Sequence, residues 1–129
     1  MNQFVNPKAS HKPLGAYSHS VKVPPGAEWL VIAGQVGIDA KGKLQDGARK
    51  QAEQAFRNVL ACLKENGMTK KHLVKFTVFV TDPRHVDGYR AARKKVIGDA
   101  TLPASTLLIV DGLAAPEIVI EIEAMAAKA

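Results

Sequence analysis

The chain has 129 residues, 47% of them apolar and 23% charged, which is the make-up of one globular domain able to close a single core without disulfides or a structural metal. Cys62 is the only cysteine, so an intramolecular disulfide is excluded, while the formal net charge of +6 admits an anionic partner only if the cations cluster. No run approaches the ~18 apolar residues of a membrane-spanning helix, and Met1 to Pro7 lack an apolar leader, so residues 1–129 are expected to form one domain located in the cytoplasm, without a membrane contact.

In chain order, Tyr17 to Val23 and Trp29 to Gln35 are β-compatible runs on either side of Pro24-Pro25-Gly26, a spacing that predicts an antiparallel hairpin. Asp39 to Gly42 reads as a second turn. From Asp46 to Asn66 the period changes: Ala48, Ala52, Ala55, Phe56, Val59, Leu60 and Leu63 recur three or four apart, with Arg49, Lys50, Glu53, Arg57 and Lys64 on the opposite face. That is an amphipathic helix, with Asp46 as N-cap and Gly67 just past its end. Leu73 to Thr81 alternates as a strand, and Asp82-Pro83 ends it and opens a second helix that runs to Gly98. Ser105 to Val110 and Ile118 to Met125 complete the set as two strands joined through the Asp111-Gly112 region.

The order β-β-α-β-α-β-β predicts an α+β fold, one mixed sheet with two helices on one face, its central strands parallel and its terminal strands paired as hairpins. Leu107 to Val110 is apolar on both sides, and Phe79, Val119 and Met125 add apolar groups to the face without helices. Two helices cannot cover both sides of a sheet, so further copies of the chain are expected on the second face.

Glu121 and Glu123 are two apart on the last strand and project to the same side. A carboxylate at an interface either meets a cation, as a structural ion pair, or acquires the raised pKa that suits water activation. His11, His19, His72 and His85 show no metal-ligand spacing, so no metal is expected, and no glycine-rich phosphate-cradling loop precedes a helix. Cys62, on the helix near its apolar face, reads as a small hydrophobe. The basic residues fall mainly on solvent faces of helices without interleaved aromatics, which argues against a nucleic-acid platform.

Six segments resemble successive signatures of the reactive intermediate deaminase (RidA, YjgF) family, in order: Gly15-Ala16-Tyr17-Ser18, Val31 to Val36, Gln51 to Ala55 with Asn58-Val59, Val74 to Asp82, Pro103 to Thr106, and Ile120 to Ala124. The resemblance implies a chorismate mutase-like homotrimer with ligand clefts between subunits. It also implies cofactor-free hydrolysis of imine or enamine intermediates to 2-oxo acids and ammonia. By position, Tyr17 would wall the cleft, Ala33, Gly34 and Gln35 would line it, Glu121 would hold the water, and Arg90, Ser105 and Thr106 would shape the rest. Ala33 stands where the family has serine, Arg90 where it usually has asparagine, and Ser105 where it has the arginine that grips the substrate carboxylate.

Loss of that fork removes charge-assisted hydrogen bonds of ~1.5–3 kcal/mol each, and serine does not restore the charge. Typical 2-imino acid deamination is therefore weakened unless Arg90 or Arg93, three apart on the second helix, supplies a relocated cation; the alternative is that both are solvated or ion-paired. Three readings follow: an imine-type hydrolase with a small, carboxylate-bearing ligand; a non-catalytic metabolite-binding protein; and, last, an RNA-binding or endoribonuclease-type protein.

Overall fold

The computed structural model describes residues 1–129. Six strands and two helices form: β1 (Gln3–Val5), β2 (Ser20–Lys22), β3 (Glu28–Val36), α1 (Gly47–Glu65), β4 (Leu73–Val80), α2 (Val86–Val96), β5 (Ala104–Ile109) and β6 (Ile120–Lys128). The main sheet has the order β3-β6-β4-β5, with β4 and β5 parallel and the other pairs antiparallel. Both helices cover one face, confirming the α+β class with a four-stranded mixed sheet. No helix is long and apolar enough to cross a membrane.

Two expected hairpins do not form. β2 pairs with β1 instead of β3, in a small sheet of its own. Pro24 and Pro25 remove two consecutive backbone donors beside the turn, so a tight β2–β3 ladder cannot close. Asn6 and Ser20 fix the alternative: the Asn6 carboxamide accepts from the His19 N–H at 2.8 Å, and the Ser20 hydroxyl donates to the Val5 carbonyl at 2.8 Å. β6 does not lie beside β5 but between β3 and β4, so the parallel pair sits at one edge of the sheet instead of its centre. The connection from β5 is too long for a tight turn, and Ile120, Ile122, Ala124 and Ala126 must reach the covered centre of the sheet to be buried.

The core lies between that row and the helices, where Phe56 of α1 meets Phe76 of β4 edge to face with ring centroids 5.3 Å apart. α1 ends where the sequence places its stop. Gly67 takes φ 69°, its N–H donates to the Lys64 carbonyl, and the Met68 N–H donates to that of Leu63, a Schellman ending. Asp46 occupies the N-cap position but makes no side-chain capping bond.

Much of the Gln51–Asn58 signature is architectural. Gln51 is buried and staples three segments: Nε2 donates to the Gln45 and Glu117 carbonyls, and Oε1 accepts from the Val119 N–H. Asn58 donates to the carbonyls of Val36 and Ile38 and so holds the end of β3 against α1.

Glu53, expected on the solvent face of α1, is buried against α2. Lys95 Nζ lies 2.6 Å from its Oε1, and Arg49 Nε 3.9 Å from Oε2. The hydrogen bond from Lys95 is the largest influence holding the Glu53 carboxyl below its ordinary value of 4.5, against a smaller opposing effect of burial. Because the folded value is depressed, the stabilisation is present above that ordinary value and disappears as pH falls through the folded one. Urea unfolding followed between about pH 6 and pH 3 is expected to show an acid loss of stability that Glu53→Gln makes shallower. An unchanged acid limb in this variant contradicts the assignment.

Candidate functional site

The segment Leu14 to Tyr17 is tied to the start of β5. The Ser18 N–H donates to the Pro103 carbonyl at 3.2 Å, and the Tyr17 hydroxyl accepts from the Leu14 N–H at 3.1 Å. These contacts hang Tyr17 over the edge of α2 and open a cavity of about 530 Å³ lined by Tyr17, Tyr89, Arg90, Arg93, Lys94 and Ser105, among others. Three residues singled out from the sequence, Tyr17, Arg90 and Ser105, therefore share one cleft. Register explains Ser105: it lies opposite Phe76, on the helix-covered side of the sheet.

Tyr89 and Arg93 form the floor. Burial pushes the Tyr89 hydroxyl up, opposed by a hydrogen bond with Ser105 and by the charges of Arg93 and Arg90. Arg93 is 3% exposed; Nη1 donates to the Gly98 carbonyl at 2.8 Å and Nη2 to that of Thr101 at 3.1 Å. Burial pulls the Arg93 pKa down, countered by Tyr89 and Asp99. So Arg93, one of the two candidates for a relocated cation, is neither solvated nor ion-paired but anchored on backbone carbonyls, whereas Arg90 is exposed at the cleft and makes no ion pair. Tyr89 was legible only as a helix-face aromatic; nothing in the spacing shows that it shares the cleft with Ser105.

The second group of expected residues gathers elsewhere. β3 breaks register against β6 between Ile32 and Gln35, so Ala33 and Gly34 form a bulge. Glu121 lies across it: a Cβ added to Gly34 would sit 2.8 Å from the Glu121 Cδ and 3.0 Å from its Cγ. Glycine is required there for the carboxylate to lie against the backbone. Gln35 Nε2 folds back onto the Ala33 carbonyl at 3.1 Å. The structural ion pair open to Glu121 and Glu123 from sequence is absent, since neither takes part in any of the chain's ion pairs.

Glu121, Phe79 and Leu108 form one row across the face without helices, and Glu123, Thr77 and Thr106 the next. Thr106 thus points away from Ser105 and its cleft. On that same side Val31 is 72%, Leu108 40% and Met125 37% exposed, an uncovered apolar face of the kind expected from the two-sided β5 sequence. No group of three or more histidine, cysteine or carboxylate side chains is placed to hold a metal ion.

The model of the family described as Endoribonuclease L-PSP matches residues 7–128. A RutC family protein of Aquifex aeolicus is 41% identical over 83 residues, covering 64% of this chain and 63% of that protein's length. The 2-iminobutanoate/2-iminopropanoate deaminase of Salmonella typhimurium is 30% identical over 118 residues, covering 89% of each chain. Among solved structures, the Rid family protein YyfB of Yersinia pestis shares the fold with a TM-score of 0.86 at 30% identity, over 97% of both chains. The match spans every signature from Gly15-Ala16-Tyr17-Ser18 to Ile120-Glu121-Ile122-Glu123-Ala124, and by it the chain belongs to the RidA/YjgF family.

Proposed function

We propose that the chain is an imine-type hydrolase whose site is completed between copies of a homotrimer, with Glu121 as the water-activating residue. One observation carries this reading: Ser105 and Tyr89 lie on the helix-covered side of the sheet, whereas Glu121 and Gly34 lie on the open side. A single copy cannot bring the two groups to one ligand. The sheet order allows both groups to border one seam between copies, because β5, which carries Ser105, and β3, whose Gly34 lies against the Glu121 carboxylate, are its opposite edges. Laying the β5 edge of one copy beside the β3 edge of the next is a head-to-tail contact, which closes into a ring when the rotation between copies is a whole fraction of a turn. The exposed Val31, Leu108 and Met125 then face inward and are buried in the assembly.

In the proposed reaction Glu121 accepts a proton from water as its oxygen adds to the imine carbon. The proton passes to the nitrogen, giving a carbinolamine; its hydroxyl proton then follows to the nitrogen as the C=O bond forms and the C–N bond breaks, and ammonia and a 2-oxo acid leave. Tyr17 confines the ligand, and the Gly34 bulge leaves room for the carboxylate and water. The similarity to the Salmonella deaminase supports the substrate class.

The test is ammonia release from imines generated in situ by an amino acid oxidase, with and without the protein. Hydrolysis faster than the spontaneous rate for at least one amino acid is the expected outcome. No acceleration for any amino acid, together with a ligand-induced rise in melting temperature, assigns the cleft to binding alone.

A further inference from the structure

The cleft holds more positive charge than the chain neutralises. Arg90, Arg93 and Lys94 line it against the single carboxylate of Asp99, and none of the three cations is in an ion pair. Arg93 adds a specific vacancy in hydrogen bonding: it is 3% exposed, two of its nitrogens are held by the Gly98 and Thr101 carbonyls, and its Nε has no acceptor. A buried guanidinium donor left without an acceptor is unfavourable, and a fixed cation without an ion-pair partner beside an open cavity attracts an anion. Ser105 brings no charge, and it lines the same cavity as Tyr89 on the side of the sheet that α2 covers.

We propose that the carboxylate of a small 2-oxo or 2-imino acid is held by Arg90 from α2, with the fixed charge of Arg93 behind it, so that the anion grip of this chain is set on the helix and not on β5. Arg90 is the specificity-determining residue, because its exposed guanidinium is free to close on a carboxylate as a bidentate fork. Arg93 is already anchored and acts as a positioning residue through its field. The inference rests on the cleft described above being the ligand site, but it does not require turnover.

The experiment is calorimetric titration of the full chain with 2-oxobutanoate and with its neutral amide. The wild-type chain is expected to bind the acid about ten-fold or more tightly than the amide, the scale of one charge-assisted fork at a partly exposed site. Arg90→Met is expected to remove that preference, Arg90→Lys to retain part of it, and Lys50→Met, which deletes an exposed cation of α1 outside the cleft, to leave it intact. Equal affinity for acid and amide, failure of the acid to bind, or a preference that survives Arg90→Met overturns the inference. Acid preference without ammonia release leaves the grip standing and removes the hydrolase reading, so the two fail separately.

Discussion

Glu121→Ala is expected to lower imine hydrolysis by about 10²–10⁴-fold, the usual contribution of a positioned general base. The carboxylate has no competing ion pair, and it lies across the only stretch of β3 where the backbone bulges and a side chain is missing. Nothing else on that side of the sheet offers a base at the same place: Glu123 is one pair further along β6, opposite Thr77, and Phe79 stands beside Glu121 on β4. The substitution removes a half-buried side chain and leaves the hydrophobic row beneath it untouched, so the assembly and the unfolding midpoint should change little. Ammonia release and sedimentation measured on the same preparation check both halves. Retained activity would take the water-activating role from Glu121, and loss of assembly would make that residue structural. A milder version, Gly34→Ala, displaces the carboxylate without deleting it and is expected to lower activity in the same direction.

Gly37→Ala is expected to be the most damaging of the single-methyl additions to the fold. An added Cβ would lie 2.7 Å from Gln51 Cβ and 2.8 Å from the Gln51 carbonyl oxygen, so it meets helix backbone that cannot rotate away. Relief requires α1 to move off the end of β3. That movement pulls on the hydrogen bonds of Gln51 to Gln45, Glu117 and Val119 and on those of Asn58 to Val36 and Ile38. Overpacking of this kind costs about 1–3 kcal/mol, and each buried polar group left unpaired adds about 1–3 kcal/mol. The expected result is a urea midpoint well below that of the parent chain with an unchanged slope. A midpoint equal to the parent's contradicts the close approach. Gly42→Ala is a useful contrast: at φ 84° the strain is conformational, and nothing lies within 4 Å of an added Cβ.

What the sequence discloses is periodicity, and periodicity fixes faces more readily than neighbours. α1 was legible end to end because Ala52, Ala55, Phe56, Val59 and Leu63 share one stripe and Gly67 terminates it. The alternation of Ile120 and Ile122 with Glu121 and Glu123 separates a buried side of β6 from the glutamates, but alternation carries no information about which strands lie on either side. β6 accordingly went to the centre of the sheet and not to a hairpin with β5.

Charge was harder to place than apolar patterning. Glu53 occupies a polar helix position that α2 covers only in three dimensions, and Arg93 sits where its guanidinium finds the carbonyls of the loop that follows its own helix. The site shows the same division. The association of Tyr17, Arg90 and Ser105 was legible from the family resemblance, whereas the separation of Ser105 from Thr106 follows from strand register, and the part played by Tyr89 from packing.

The proposed chemistry depends on neighbouring chains facing one another across the β3 and β5 edges, and sedimentation equilibrium of the full chain at micromolar concentration tests this most directly. The account predicts one species of three times the 13.8 kDa chain mass. A single species at 13.8 kDa, under conditions in which the protein hydrolyses imines, would contradict it.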